Sequence, residues 1–297
     1  MAQFVQGFGR WAGTAEVYSG EGRFLGNGAD QRHVQDVGDG RTRIDVSFVG
    51  PFKHAGHYFI QDNGDHRLYQ GPANVGYAEV LSESLVDANA YWPALGLSQR
   101  FFLMVIGDLQ LSLALMSRGE QLLYAVVGQN DRVPEGAANP LPSLVSGTSY
   151  DLGDDPHAGR GRSLLHREGR WTGDINLSNA ARQPVGALRC SERCERLDAR
   201  TIRLTYESDH APHSYSAQFV CNEWQAWSVP EQPMAGSYSL FGGRAAVSHL
   251  HVLDSGLRAW CRDVVSHDGE RRAFVRHWYR GGERVSIEHG VLQFVAS

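Results

Sequence analysis

Polar and apolar residues alternate along short stretches of this chain, with a period of two. Arg41-Thr42-Arg43-Ile44-Asp45-Val46-Ser47-Phe48-Val49 shows the pattern, and residues 201–206 repeat it. Such alternation places successive side chains on opposite faces of a strand. Segments 122–127, 257–265, 273–279 and 285–295 are rich in the β-branched and aromatic residues that strands favour. Turn-forming clusters separate them: Gly38-Asp39-Gly40, Asn63-Gly64-Asp65, Arg118-Gly119, Asp268-Gly269 and Gly281-Gly282. Few windows favour helix. Residues 4–8 and 162–168 suit single turns before a first strand, and 80–89 suits a short helix. Many short strands with tight turns predict an all-β, antiparallel protein, and closure into barrels removes the exposed edges.

The pattern occurs twice. Gly9-Arg10-Trp11-Ala12-Gly13 returns as Gly169-Arg170-Trp171-Thr172-Gly173. The same spacing maps Gly26 on Gly186, Arg43 on Arg203, Ile44 on Leu204 and Phe59 on Phe219. Further on, Gly119-Glu120 matches Gly269-Glu270 at a spacing shorter by ten, which implies a deletion in the second half. Between the halves, residues 131–162 are rich in Pro, Gly, Ser and Asp and show no period. The sequence therefore predicts two tandem barrels from an internal duplication: 1–132, a linker over 133–162, and 163–297.

A Gly-x-Trp at the start of a first strand, preceded by a short helical turn, resembles the signature of the lipocalin (calycin) family. Both Gly9-Arg10-Trp11 and Gly169-Arg170-Trp171 carry it. The resemblance covers most of the chain as a fold and six residues as a motif. It implies an up-and-down barrel closed at one end by the tryptophan, with an arginine from a late strand packed over the indole. Arg118 in the first half, and Arg276 or Arg280 in the second, are the arginines that would do this. Double-barrel relatives of this kind include cofactor-free isomerases, hydratases and cyclases acting on apolar metabolites.

Charge then narrows the chemistry. The chain has 28 Lys+Arg against 33 Asp+Glu, and a single lysine, Lys53. Imine chemistry would have to use that residue, and no other lysine can serve a phosphate-binding loop. A net charge of −5 argues against nucleic acid as a partner. No apolar run is long enough for a membrane-spanning helix. No leader is read at Met1-Ala2-Gln3-Phe4, and Cys190, Cys194, Cys221 and Cys261 form no CxxC pair, so reduced cysteines and a cytoplasmic location are expected. A symmetric homodimer is the expectation from base rates.

Three polar groups remain as candidate chemistry. His249 and His251, two apart, share a strand face; with Gly243 they resemble the opening of a cupin metal motif. His277 or His289 would supply a third ligand. The alternatives are a cavity-facing acid/base pair or two outward histidines. Arg258, Trp260 and Arg262 share a face, as do His277 and Tyr279 on the next strand, opposite Arg276 and Trp278. They suit a pocket wall, or an outer face covered by arginine stems. Segment 77–100 departs most from the repeat and includes Asp87, Asn89, Tyr91, Trp92 and Arg100. There Asp87 is an acid/base candidate, or a cap on a solvated edge. His54, His57 and His66 are expected in surface loops.

The expectation is a barrel protein holding an apolar or aromatic small molecule, without cofactor or metal. It acts as an isomerase, lyase or cyclase through His249, His251, His277, Tyr279 and Asp87. Asn89, Tyr91, Trp92, Arg100, Trp260, Arg262 and Trp278 contact the substrate. The alternatives are a non-catalytic carrier and a bicupin-like metalloenzyme built on His249 and His251.

Overall fold

A computed structural model describes residues 3–62, 67–137, 165 and 167–296. The chain divides into two compact units, residues 1–155 and 156–297. Most of the expected linker lies outside the described residues, as do His66 and most of the turn expected over 162–168.

Each unit is a closed antiparallel barrel of ten strands, every strand paired with its neighbours in sequence and the last with the first. The first comprises β1 (Gly9–Ser19), β2 (Phe24–Asp36), β3 (Arg41–Val49), β4 (Lys53–Asp62), β5 (Arg67–Gln70), β6 (Val75–Ser82), β7 (Leu85–Trp92), β8 (Leu97–Ile106), β9 (Leu109–Arg118) and β10 (Gln121–Val133). The second comprises β11 (Gly169–Asn179), β12 (Pro184–Arg196), β13 (Thr201–Ser208), β14 (Tyr215–Cys221), β15 (Gln225–Ser228), β16 (Met234–Phe241), β17 (Ala245–Val252), β18 (Leu257–Val265), β19 (Arg271–Arg280) and β20 (Glu283–Val295). The all-β, two-barrel expectation is met. Ten strands per barrel exceed the eight of a lipocalin.

The helix expected over 80–89 does not form, because the segment is the hairpin joining β6 to β7. Val86, Ala88 and Ala90 pack in the first core while Asp87 and Asn89 point away from it, so the period-two pattern outweighs local helix propensity. The turn at Val5–Gly7 does form, as a 3-10 turn.

The repeated Gly-x-Trp has a backbone cause. Gly9 and Gly169 have φ of 113° and 139°, a region that side chains resist. The glycine lets the chain swing so that Trp11 and Trp171 enter the barrel, where they are 1% and 0% exposed. The Trp11 indole N–H donates to the Gly7 carbonyl at 2.8 Å. The arginine over it is Arg132, at 4.2 Å, not Arg118. Arg132 also donates to the Phe8 and Gln6 carbonyls at 2.7 and 2.9 Å, tying the 3-10 turn to the last strand. In the second barrel the residue paired with the tryptophan is Phe294, whose ring meets Trp171 edge-on at 5.2 Å. A cation still completes the stack, since Arg167 lies 3.3 Å over Phe294. Arg276 instead faces Tyr206 at 4.2 Å, and Arg280 is exposed.

The register carries the duplication further than the motif. Both first hairpins shift register at the same place, Val17/Tyr18 and Leu177/Ser178, opposite Gly26 and Gly186. The late match at the shorter spacing is corrected. Gly119 joins β9 to β10 whereas Gly269 joins β18 to β19, so the two turns are not equivalent. The strands β7 and β17 keep the original spacing, and segment 77–100 is not an insertion. The Phe59–Phe219 match is also out of phase. Phe219 is 0% exposed inside its barrel, while Phe59 lies on the opposite face from the inward Tyr58 and Ile60.

Candidate functional site

The first barrel is hollow. Alternate residues of its strands enclose a cavity of about 330 Å³, large enough for a small organic molecule. The walls are mainly apolar: Val46, Leu103, Ala114, Met116 and Val126 line it, with Phe48, Phe52 and Tyr124 in ring contact on one side. Lys53 and Leu95, both exposed, lie at its rim.

Polar groups enter from several strands, among them β2, β4, β7 and, with Gln99, β8. From β2, Arg32 donates to Asp30 at 2.6 Å and to the Ser112 hydroxyl at 2.8 Å, while Asn130 donates to the same Asp30 oxygen at 3.3 Å. The Arg32 side chain is 8% exposed, so the pair is shielded from solvent and held by geometry rather than by a salt-screened surface contact. From β4, the His54 imidazole hydrogen-bonds the Tyr58 hydroxyl, and Tyr58 stacks on Tyr69 at 5.4 Å. Burial lowers the His54 pKa, and the nearby Asp30 charge offsets this only in part. Burial pushes Tyr58 up to about 12, so both side chains are held neutral. From β7, the Trp92 ring meets His54 edge-on at 5.6 Å.

Three buried polar atoms of the lining have no hydrogen-bond partner among the described residues: Arg32 Nη1, Trp92 Nε1 and Gln99 Oε1. Two donors and one acceptor in a mainly apolar chamber are the kind of polar hooks that orient a ligand.

The second barrel has the same frame and a filled interior. Glu192 on β12 accepts from Arg276 at 2.6 Å and pairs with Arg272. Arg272 Nε also approaches Asp263 at 3.4 Å. Glu288 accepts from the Trp278 indole at 2.9 Å, the Tyr206 hydroxyl at 3.1 Å and His213 at 2.6 Å. Arg272 and Arg276 beside Glu192, and the His213 hydrogen bond with Arg276 beside Glu288, hold both carboxyls below their usual range despite burial. Asp263 is instead raised to about 6, because burial outweighs Arg272.

Of the residues selected from sequence in the first barrel, only Trp92 lines the cavity. Asp87, Asn89 and Tyr91 share a face as the alternation predicts, but it is the outer face of β7, and Arg100 lies on the outer face of β8. The structure brings together His249, Trp260 and His277 in one row across β17, β18 and β19, with ring spacings of 6.1 and 6.0 Å. Tyr279 stacks beside His277 at 6.4 Å, and Arg262 lies 4.3 Å over Trp260. This row also lies on the outside of its barrel. His249 and His251 are exposed, whereas His277 is buried. Trp260 stands between His249 and His277, and His289 is three strands from His249, roughly 14 Å across a sheet. Among the described residues His249 and His251 join no group of three metal-ligating side chains. Trp278 faces inward, 0% exposed, as part of the filled core.

Asp30, Arg32, Tyr58, Tyr69 and Gln99 belong to no sequence motif, and His54 and His57 were expected in loops. Both histidines lie in β4, and His54 faces the cavity. The signal was present in the alternation His54, Gly56, Tyr58, Ile60, hidden by neighbouring turn residues.

No family model matches the chain, and no curated protein matches it. Among solved structures it is similar to a protein of unknown function from the DUF3598 family of Nostoc punctiforme. The two are 14% identical over 98% of this chain and 97% of that one, with a TM-score of 0.62. The likeness is one of fold. A putative outer membrane protein of Bacteroides fragilis also aligns, over 99% of this chain and 100% of that one at 7% identity, but its TM-score of 0.26 carries no argument.

Proposed function

We propose that the first barrel binds a small, mostly apolar molecule with one oxygen-bearing or anionic group. The observation that carries this reading is the set of buried polar atoms in the cavity wall, Arg32 Nη1, Trp92 Nε1 and Gln99 Oε1. A carboxylate or carbonyl oxygen satisfies the two donors, a hydroxyl satisfies Gln99, and the apolar walls take the remainder. The test is calorimetric titration of the full chain with aryl and medium-chain carboxylates and with the matching alcohols. Arg32→Leu is expected to weaken the carboxylates about tenfold or more and the alcohols much less. Equal loss for both, or carboxylate binding untouched by the substitution, overturns the reading.

A second reading, conversion of the bound molecule by an isomerase, lyase or cyclase, is favoured by the neutral His54–Tyr58 pair in the same wall. A neutral imidazole accepts a proton and a phenol supplies one. Turnover that survives both His54→Ala and Tyr58→Phe while ligand binding persists is inconsistent with it.

A further inference from the structure

The second barrel contains a separate group of side chains that the binding reading does not use. Ser286 and Glu288 lie two apart on β20, so both face the barrel interior. His213 ends the 3-10 turn Ala211–His213 that precedes β14 and lies over them. Its Nδ1 is 2.6 Å from Glu288 Oε1, and its Nε2 is 3.3 Å from the Ser286 hydroxyl. In the neutral ring the carboxylate favours the tautomer that donates from Nδ1 to Glu288 and leaves the Nε2 lone pair facing Ser286. The ring is held in place by Trp278, stacked at 4.3 Å with 13° between planes, and by His210 edge-on at 4.3 Å.

These groups meet open space. Ser286 and His213 both line an open pocket of about 370 Å³ at the end of the barrel where β11 and β19 finish and β12 and β20 start, beyond the filled interior; Leu177, Val185, Pro212 and Val285 wall it, and Arg280 is a cationic side chain of its lining. The equivalent of Ser286 in the first barrel is Tyr124, since each pairs with the last residue of the first strand, Asn179 and Ser19. Replacing the phenol with a small hydroxyl is what places a nucleophile beside His213.

We propose that Ser286, His213 and Glu288 form an acyl-transfer site for small esters with an apolar acyl group. The Ser286 oxygen attacks the ester carbonyl carbon as its proton passes to His213 Nε2. The ester C–O bond then breaks, and His213 returns the proton to the leaving alcohol. Water, deprotonated by His213, cleaves the acyl-serine, releasing a carboxylic acid and restoring the hydroxyl. Ser286 and His213 are the catalytic residues. Glu288, already fixed by Trp278 and Tyr206, is a positioning residue. Arg280 is the lining group suited to a developing oxyanion.

The experiment treats the full chain with a fluorophosphonate probe and maps the adduct by peptide mass spectrometry, alongside p-nitrophenyl butyrate hydrolysis. Expected are an adduct on Ser286, its loss in Ser286→Ala, and a labelling rate about 100-fold or more lower in His213→Ala. Glu288→Gln is expected to lower kcat for p-nitrophenyl butyrate with KM unchanged. Absence of an adduct on Ser286 of the unaltered protein overturns the proposal without recourse to any variant. So does a labelling rate that His213→Ala leaves unchanged.

Discussion

The two barrels share strand number, topology and the first-hairpin bulge, yet one is hollow and the other is filled with ions. Register makes the comparison position by position. Val46, Leu103, Ala114, Met116 and Val126 line the first cavity; Tyr206, Asp263, Arg276, Trp278 and Glu288 stand in their places in the second barrel. Arg32, a polar hook of the first barrel, corresponds to Glu192, the hub of the second, each paired directly with the first-strand tryptophan. Backbone closure therefore does not decide whether a barrel holds a ligand; inward side-chain volume does. Once large polar groups fill the interior, each needs its partners, because an unpaired buried charge is strongly destabilising.

Breaking the ionic core should have the largest effect. Arg276→Ala leaves Glu192 and Glu288 short of a partner and should cost the second barrel roughly 3–5 kcal/mol. Urea unfolding followed separately in each barrel measures it, and an unchanged second transition would contradict the account. Next, Met116→Trp copies Trp278 into the first cavity. Ligand affinity should fall tenfold or more, with a stability change within about 1–3 kcal/mol from overpacking. Smaller again, Arg132→Ala removes a cation–π stack and two carbonyl contacts and should cost about 1–2 kcal/mol in thermal unfolding. Arg167→Ala, which stacks on Phe294 rather than on the tryptophan, should cost less.

The subtlest contrast is pH. The His54 pKa is lowered on folding, so the unfolded chain binds its proton first; stability falls as pH drops below about 6.5 and into the lowered folded range. Glu192 and Glu288 are also lowered, and their contribution is lost only as pH falls below about 4.5. Asp263 acts in reverse: its folded pKa of about 6 lies above the ordinary 3.8, so stability declines as pH rises between them. On acidification from pH 7 to 3, melting curves should show the first barrel beginning to weaken below about 6.5, before the carboxylates of the second barrel lose their contribution below about 4.5. His249→Ala and His251→Ala, on an exposed outer face, should leave ligand binding unchanged in the same titrations.

Strand content and duplication were legible because alternation and the Gly-x-Trp pair are local signals. The polar residues were harder. Alternation correctly grouped Asp87 with Asn89 and Tyr91, and His277 with Tyr279, but a period of two says only that two faces exist, not which one is inside. The phase in β7 is set by Val86, Ala88 and Ala90, three modest apolar residues easily outweighed by the chemistry of Asp87. In β19 the inward face carries Arg272, Arg276 and Trp278, an inversion of ordinary polarity that only the presence of Glu192, Asp263 and Glu288 makes tolerable.

The sequence by itself determined that this chain is all-β, that it repeats, and that the first strand of each repeat opens on a Gly-x-Trp. Glycine tolerance of positive φ and the two-residue pleat are properties of neighbouring residues. Only the tertiary structure decided which barrel is hollow, which arginine stacks on Trp11, and that His213 reaches Ser286 and Glu288 some seventy residues away. Those facts depend on strand register and on the summed volume of side chains from many strands, and no local window contains either.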